Sequence, residues 1–437
     1  QSGAAPKAIA VCHLVLFRSL LLFFLITGFL VLVFTPEEVK NMPVVLSLTI
    51  GLLLTFLAYR LAERSKLPAL KLPDWLKQLS TAKLLCAIIF AGVALRVIWI
   101  LFIPPVQTSD FLAYWQLALG FAENNTYSEV FKGAVLNAYR PPGYPLLLYP
   151  FILLFGDSPW TIIFSNLLMF TLCAFLLYDV VARWFYEAVA LITTFLIAIW
   201  PSWIFYSGLA ATELPFMLML IGGVWAFDRV RDGKIAWSLF AGLFLGFGAL
   251  IKATLLVAPI IVAGFFLAQK SQNQLKKAGS IALLCLGMAL VILPWSYRNY
   301  TIFGERVLIS TTGGSNFYRA NNANASGTYK ELGEQDIDQF VSNELLWNKT
   351  GYEWGMQWIK NNPLDFIQLS FKKLYITLSR DNTGIKWSLK KGYDSVGVGY
   401  TILNSLSNVW WIFIWFCALM GTWRYRDFLS NSHMGIQ

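Results

Sequence analysis

Long apolar runs dominate this sequence and limit what it can fold into. Stretches of roughly 20 residues with few charges recur along the chain, from a first run at 10–35 to a last one at 401–422. A helix of that length spans the hydrocarbon core of a bilayer, about 30 Å thick. Only 13% of the residues are charged, against about 25% in soluble domains. We therefore predict an all-α polytopic membrane protein with about ten transmembrane helices.

The charged loops predict how the chain is oriented. Residues 60–83 form the most basic short loop, which we place in the cytoplasm by the positive-inside rule. The run 84–103 then crosses outward, so the loop 104–158 lies outside. Within it, the apolar segment 143–156 is too short to span, and we predict that it dips into the outer interface and returns. This choice keeps the basic loop 228–234 in the cytoplasm.

These assignments predict four regions. They are a transmembrane hairpin with a basic cytoplasmic loop at 1–83, a transmembrane core at 84–297, an external and mainly helical region at 298–400, and a last transmembrane helix with a cytoplasmic tail at 401–437. Inside the external region, the density of Ser, Gly and Asn at 310–316 favours turns and loop over helix.

Several functional classes find no support in the sequence. The histidines are His13 and His433, and the five cysteines all lie in apolar runs without the spacing of metal ligands. We therefore assign no metal ligand and no cofactor, although the pattern leaves a divalent metal open. The formal net charge of +10 falls largely in short loops that meet lipid head groups. No nucleic-acid-binding motif is present, and we expect no nucleic-acid partner.

Two acidic residues on the predicted outer face are the candidates for catalysis. Asp110 follows Ser109 at the start of an apolar helix, and Glu213 follows Thr212 at the start of another. Both patterns are typical of helix N-termini, where carboxylates are favoured by capping and by the helix dipole. A carboxylate at such a surface can also act as general base on an acceptor hydroxyl. The two interpretations are compatible.

Cations and aromatic residues accompany these acids. Four cations predicted on the outer face could bind a membrane-anchored phosphate: Arg140, Lys252, Arg298 and Arg319. Lys252 separates two short apolar helices and is predicted to sit below the lipid surface. Three tyrosines in the outer loop could stack on a sugar: Tyr114, Tyr139 and Tyr144. An interfacial aromatic belt explains them equally well.

The motifs around these residues resemble those of the GT-C membrane glycosyltransferases, in particular bacterial relatives of protein O-mannosyltransferase and of the lipid A aminoarabinose transferase. The matching positions are Asp110 with Tyr114 and Ala118, the run Arg140 to Pro145, Thr212 with Glu213, Lys252, the pattern from Pro294 to Gly304, Gly313 and Gly314 with Asn316, and Asn321 and Asn322 with Gly327. The likeness covers roughly residues 84–330. The hairpin at 10–60 departs from the layout of either relative.

This resemblance implies a fold and a reaction. The family's seven-helix core corresponds to seven predicted spans between 84 and 296. The donor would be a sugar on a polyprenyl phosphate, transferred with inversion in a single displacement, with Asp110 as base. Glu213 would share the catalytic work, the four cations would bind the donor phosphate, and Asn316 would join the tyrosines in contacting sugar or acceptor.

The resemblance also implies a cellular location and a class of acceptor. The resemblance implies a site at the periplasmic face of a bacterial inner membrane, acting on a hydroxyl of an envelope glycan, lipid or protein. An alternative function is a transporter or flippase of a lipid-linked sugar, in which polar residues would line a path across the bilayer. A structural assembly scaffold is a third possibility, and Asp110 would then be dispensable.

Overall fold

The computed structural model describes residues 80–268, 274–329, 337–389 and 398–424. The predicted hairpin at 10–60 and nearly all of the basic loop at 60–83 lie outside the described residues. The described chain divides into two compact units. The larger one contains residues 80–199 and 203–370, apart from the gaps in that range, and the smaller one contains 200–202, 371–389 and 398–424.

The larger unit is almost entirely helical, as predicted. Its first ten helices are α1 (Thr81–Phe102), α2 (Asp110–Asn124), α3 (Gly143–Phe155), α4 (Pro159–Trp184), α5 (Glu187–Ala198), α6 (Pro201–Phe205, which begins in the smaller unit), α7 (Glu213–Asp228), α8 (Trp237–Ile251), α9 (Ala258–Ala268) and α10 (Gln274–Phe303). All seven segments predicted as spans between 84 and 296 contain helix. The chain is thus an all-α polytopic membrane protein.

The number of spans stays a prediction. Within the described ranges, four helices are long and apolar enough to cross a bilayer, namely α1, α4, α10 and Gly399–Ala418. A fifth span results if α5 is joined to Pro201–Gly208, which it meets at a bend of 52°. The predicted span at 187–206 is therefore broken before Pro201, which lacks the N–H that would continue the helix, and its crossing stays a prediction. Helices α8 and α9 are each shorter than a span, and their crossing stays a prediction.

Glycines allow α8 and α10 to pack with their backbones in contact. A Cβ on Gly242 would collide with the carbonyl group of Leu284, and one on Gly287 would collide with the carbonyl oxygen of Leu239. One turn after Gly242, a Cβ on Gly246 would lie 2.8 Å from the Cα of Met288. Gly242 and Gly246 thus form a small-residue face, the kind of surface through which helices associate in lipid.

The outer loop contains α2, α3 and one element that the sequence did not predict. Strands β1 (Glu129–Phe131) and β2 (Ala134–Leu136) pair antiparallel as a short hairpin, with Gly133 at positive φ in its turn. Helix α3 has 13 residues, which corresponds to about 20 Å. That length agrees with the prediction that this segment does not cross the bilayer.

The region predicted to be external, 298–400, is mainly helical where the structure describes it, but its helix boundaries differ from those expected. Helix α10 continues to Phe303, so Arg298 lies on a helix rather than in a loop. The stretch at 310–316 was predicted as loop, yet α11 (Thr312–Ala320) begins inside it. Gly314 explains the difference, because only a residue without a side chain fits there against the backbone of Asn348 in α12 (Glu344–Asn361). Tertiary packing therefore outweighs a composition that favours turns.

The smaller unit contains α14 (Thr383–Ser388), α15 (Val398–Arg424) and the end of α13 (Pro363–Ser379). Asp381 lies between α13 and α14 and accepts a hydrogen bond of 2.9 Å from the indole of Trp200. Its backbone N–H donates to the side chain of Asn408 on α15, at 3.0 Å. These bonds hold the chain reversal between α13 and α15.

Replacing Gly242 with Ala should destabilise the protein by about 1–3 kcal/mol, because the methyl group forces α8 and α10 apart. Gly264→Ala is the matched control, since no described atom lies within 4 Å of the Cβ it would add. Thermal unfolding of the two variants in detergent measures the difference. Equal melting temperatures would mean that α8 and α10 do not pack through their glycines.

Candidate active site

Asp110 is the first residue of α2, and its carboxylate reaches solvent. Its side chain is 66% exposed, and Oδ1 lies 3.1 Å from Nη1 of Arg140. Ser109, immediately before it, has φ 53° and ψ −128°, a region that residues with a Cβ rarely adopt. Strain of this kind persists where the surrounding structure imposes it, and it collects at functional sites. The backbone therefore holds Asp110 in a defined position at the helix start.

Arg140 lies at the centre of this part of the structure. Its side chain is 13% exposed, and its Nε donates to Oε2 of Glu129 at 2.9 Å. The guanidinium also lies over the rings of Tyr114 and Tyr139, at 5.3 Å and 5.6 Å from their centroids. Burial alone would lower the pKa of Arg140, but the neighbouring carboxylates outweigh it and raise the pKa. The residue is therefore a permanent cation.

The segment that carries Arg140 is bound from one side by Arg298. This arginine donates to the carbonyl oxygens of Asn137, at 2.6 Å, and of Tyr127, at 2.9 Å. Its guanidinium also stacks on Trp295, 4.6 Å from the ring centroid. The predicted phosphate-binding role of Arg298 stays a prediction, since the contacts present here are structural.

Glu344 binds the same segment from the other side. Its carboxylate accepts hydrogen bonds from the backbone N–H groups of Asn137 and Ala138, at 2.7 Å and 2.9 Å, and from the hydroxyl of Thr311. The hydroxyl of Tyr127 donates to the carbonyl oxygen of Arg140 at 3.1 Å. Three side chains, from Arg298, Glu344 and Tyr127, thus fix the backbone around Arg140.

A second ion pair joins Glu213 and Lys252. Glu213 begins α7, and its Oε1 lies 2.9 Å from Nζ of Lys252, with side chains 42% and 36% exposed. Lys252 is the extended residue directly after α8, as the sequence predicted. Its ammonium also lies 5.6 Å from the ring centroid of Phe216. Both groups therefore remain accessible from solvent.

Two side-chain amides position the turn that precedes Glu213. Gln107 donates to the carbonyl oxygen of Gly208 and accepts from the N–H of Ala210, both at 2.8 Å. Asn166, on α4, donates to the carbonyl oxygens of Ser207 and Leu209. Because Gln107 lies three residues before Asp110, this bonding links the positions of the two candidate acids.

The two ion pairs lie around the same tyrosines. Tyr114 packs edge-to-face on Tyr144, with centroids 6.0 Å apart. Burial raises the pKa of Tyr114, and the charges of Arg140, Asp110 and Glu213 also act on it. The structure therefore places Asp110, Arg140 and Glu213 around one phenol. The hydroxyl of Tyr144 is buried and has no hydrogen-bond partner among the described residues.

Three further predicted residues lie in other surroundings. Arg319 is buried and forms an ion pair with Asp338, so a carboxylate already engages the side chain predicted to bind phosphate. Tyr139 stacks against both Phe131 and Trp347, which also stack on each other, as part of a small buried cluster. Asn316 is exposed on α11. Their predicted roles are untested by this geometry.

No group of three or more histidine, cysteine or acidic residues with metal-site geometry occurs in the part of the chain that the structure describes. The two candidate acids are each paired with a cation instead. The site chemistry that these residues offer is therefore a carboxylate with solvent access beside fixed positive charges.

Comparison with known proteins gives two matches. The family described as "Dolichyl-phosphate-mannose-protein mannosyltransferase" matches residues 139–297. The Bacillus subtilis (strain 168) protein "Putative mannosyltransferase YycA" is 26% identical over 178 residues, which make up 40% of this chain and 26% of that protein. The chain thus spans about a quarter of the length of this curated relative. No solved structure matches significantly.

The fold and these matches support a membrane glycosyltransferase of the GT-C type. Within that class, residues 139–297 are similar to the protein mannosyltransferase family. The resemblance predicted from the sequence is confirmed. The matched range includes Arg140, Glu213 and Lys252, whereas Asp110 lies before it.

The sequence did not identify Glu129, Glu344, Tyr127 or Gln107. Each is an ordinary polar residue in its local context, with no motif around it. The roles of Glu129 and Glu344 are recognisable only from the fold. Chain reversals bring β1 to Arg140 and α12 to the neighbouring backbone.

Replacing Ser109 with Gly should raise the free energy of unfolding by about 1 kcal/mol, because glycine adopts this backbone conformation without strain. Asn125→Gly is the control, since Asn125 has φ 52° and ψ 28°, which asparagine tolerates. Denaturation in detergent compares the two. A stability gain no larger for Ser109→Gly than for the control would argue against strain at Ser109.

Proposed function

We propose that the protein transfers a sugar from a polyprenyl-phosphate donor to a hydroxyl of a cell-envelope acceptor. The observation that carries this proposal is the exposed carboxylate of Asp110, held 3.1 Å from Arg140 with Glu213 and Lys252 nearby. This arrangement places a general base beside two cations suited to a leaving phosphate. The description of the matching family supports the choice of a lipid-phosphate donor.

In the proposed reaction, Asp110 accepts the proton of the acceptor hydroxyl. The oxygen then attacks the anomeric carbon, and the bond from that carbon to the phosphate oxygen breaks. The electron pair stays on the polyprenyl phosphate, which leaves without needing a general acid. A single displacement of this kind inverts the anomeric configuration.

Arg140 and Lys252 would neutralise the donor phosphate. An arginine can bind phosphate through two parallel N–H groups, and a lysine acts as a point charge. Lys252 ends a short helix, so it could meet a phosphate at the depth of the lipid head groups. Glu213 would hold Lys252 until the donor arrives and could then contact an acceptor or sugar hydroxyl.

The proposed site faces the exterior of a bacterial inner membrane. Glu213 and Asp228 lie at opposite ends of α7, about 24 Å apart along a 16-residue helix. The Asp228 end carries Arg183 and Arg229 and precedes Lys234, and loops rich in such residues remain in the cytoplasm. This distribution supports an outward orientation for Asp110. The acceptor class, whether glycan, lipid or protein, and the choice of hexose or pentose remain to be assigned by experiment.

Asp110→Asn should abolish transfer while leaving donor binding intact, because an amide cannot accept the hydroxyl proton. Glu123→Gln, on the exposed side of the same helix, is the matched control and should transfer normally. The assay uses nanodiscs with short-chain polyprenyl-phosphate sugars and extracted envelope lipids.

Turnover by Asp110→Asn at the rate of the control would remove the base assignment. Movement of intact donor across the bilayer without consumption would instead favour a flippase.

Lys252→Ala should weaken donor binding by about 1.5–3 kcal/mol, the size of a charge-assisted hydrogen bond. Glu213→Gln removes the carboxylate that competes for Lys252, so it should not weaken donor binding. Equilibrium binding of labelled donor measures both. Equal affinity in wild type and Lys252→Ala would show that the phosphate binds elsewhere.

A further inference from the structure

Arg140 has two carboxylate partners in very different surroundings. Glu129 is 9% exposed in its side chain, whereas Asp110 is 66% exposed. The two acids also bind different nitrogens, since Glu129 receives the Nε–H and Asp110 lies at Nη1. A ligand arriving from solvent can therefore reach the edge that Asp110 occupies without disturbing the edge held by Glu129.

Glu129 is fixed by the hairpin that carries it. It pairs with Leu136 in the β1–β2 register, and Leu136 is 1% exposed. Its second carboxylate oxygen, Oε1, is buried and finds no hydrogen-bond donor within the described ranges. Within the described ranges, Glu129 thus forms its ion pair with Arg140.

We propose that Glu129 is a positioning residue that holds Arg140 permanently, and that Asp110 is the exchangeable partner which a donor phosphate displaces. This inference rests on the proposed function and adds an order of events to it. Before the donor binds, the carboxylate of Asp110 is engaged by Arg140. The phosphate takes its place at Nη1 and so releases the carboxylate for the acceptor hydroxyl.

Charge balance supports the exchange. Arg140 with both carboxylates carries a local net charge of −1, which opposes the approach of a third anion. Replacing Asp110 with a phosphate of one negative charge leaves that balance unchanged at Arg140. A phosphate that merely joined both carboxylates would instead raise the local net charge around Arg140 to −2.

The titration of Glu129 provides an independent readout. Burial raises the pKa of Glu129, Arg140 opposes this shift, and Asp110 and Glu344 add to it. Tyr127 also lies within its electrostatic reach. Because the pKa is raised, neutral Glu129 becomes more populated as the pH falls. A neutral Glu129 competes less for Arg140, so phosphate should bind more tightly at the lower pH.

The test compares three forms of the full chain in nanodiscs, with a short-chain polyprenyl methyl phosphate as the probe, because this sugar-free diester carries one negative charge and does not titrate near neutral pH. Glu129→Gln keeps an oxygen for the Nε–H but removes the charge, and it should bind the probe at least about threefold more tightly than wild type at neutral pH. It should also lose the tightening of affinity at low pH. Glu129→Ala removes the side chain that holds Arg140, and this variant should bind the probe more weakly than wild type.

The outcomes separate this proposal from the transferase function. Weaker binding by both variants, with lowered melting temperatures, would make Glu129 a merely structural residue and would overturn the proposal. Failure of wild type to bind the probe would overturn it too, because Arg140 would not be a phosphate site. If the binding pattern holds but wild type transfers no sugar, only the transferase function is rejected. Glu123→Gln should bind the probe as wild type does.

Discussion

The buried guanidinium of Arg140 is the interaction on which the described site depends. A cation that is 13% exposed needs compensating charge, and Glu129 and Asp110 provide it from two different elements. Because these partners come from β1 and the start of α2, the ion pairs fix the outer loop to itself. The same charge arrangement leaves one carboxylate accessible to solvent. Arg140 therefore holds the loop together and also lies beside a carboxylate that a ligand can reach from solvent.

The helices serve this loop by fixing where it begins and ends. Close packing of α8 against α10, through Gly242 and Gly287, places Lys252 at the end of α8 and Arg298 on the last turns of α10. Arg298 then binds the carbonyl of Asn137, and Glu344 binds the N–H of the same residue. An arginine on α10 and a glutamate at the start of α12 thus hold one peptide segment. Loosening either contact would displace Arg140 relative to Lys252.

Local sequence patterns predicted the fold class and the main ion-paired residues. Asp110, Glu213 and Lys252 lie at helix ends, where charge patterns and apolar periodicity give a direct signal. Glu129 could not be found this way, since its role arises from a hairpin contact with Arg140, 11 residues further along the chain. The helix at Gly314 was missed for a similar reason, because the backbone of Asn348 decides which residue fits. Long-range packing, rather than local preference, determined both.

A structure of the full chain bound to a non-hydrolysable polyprenyl-phosphonate sugar tests the central claim most directly. The account predicts the phosphorus within about 4 Å of the Arg140 guanidinium, with Glu129 still bound to Nε and Asp110 released from Nη1. Lys252 should also have turned from Glu213 towards the ligand. A phosphonate bound away from Arg140, with the ion pair between Asp110 and Arg140 unchanged, would contradict it.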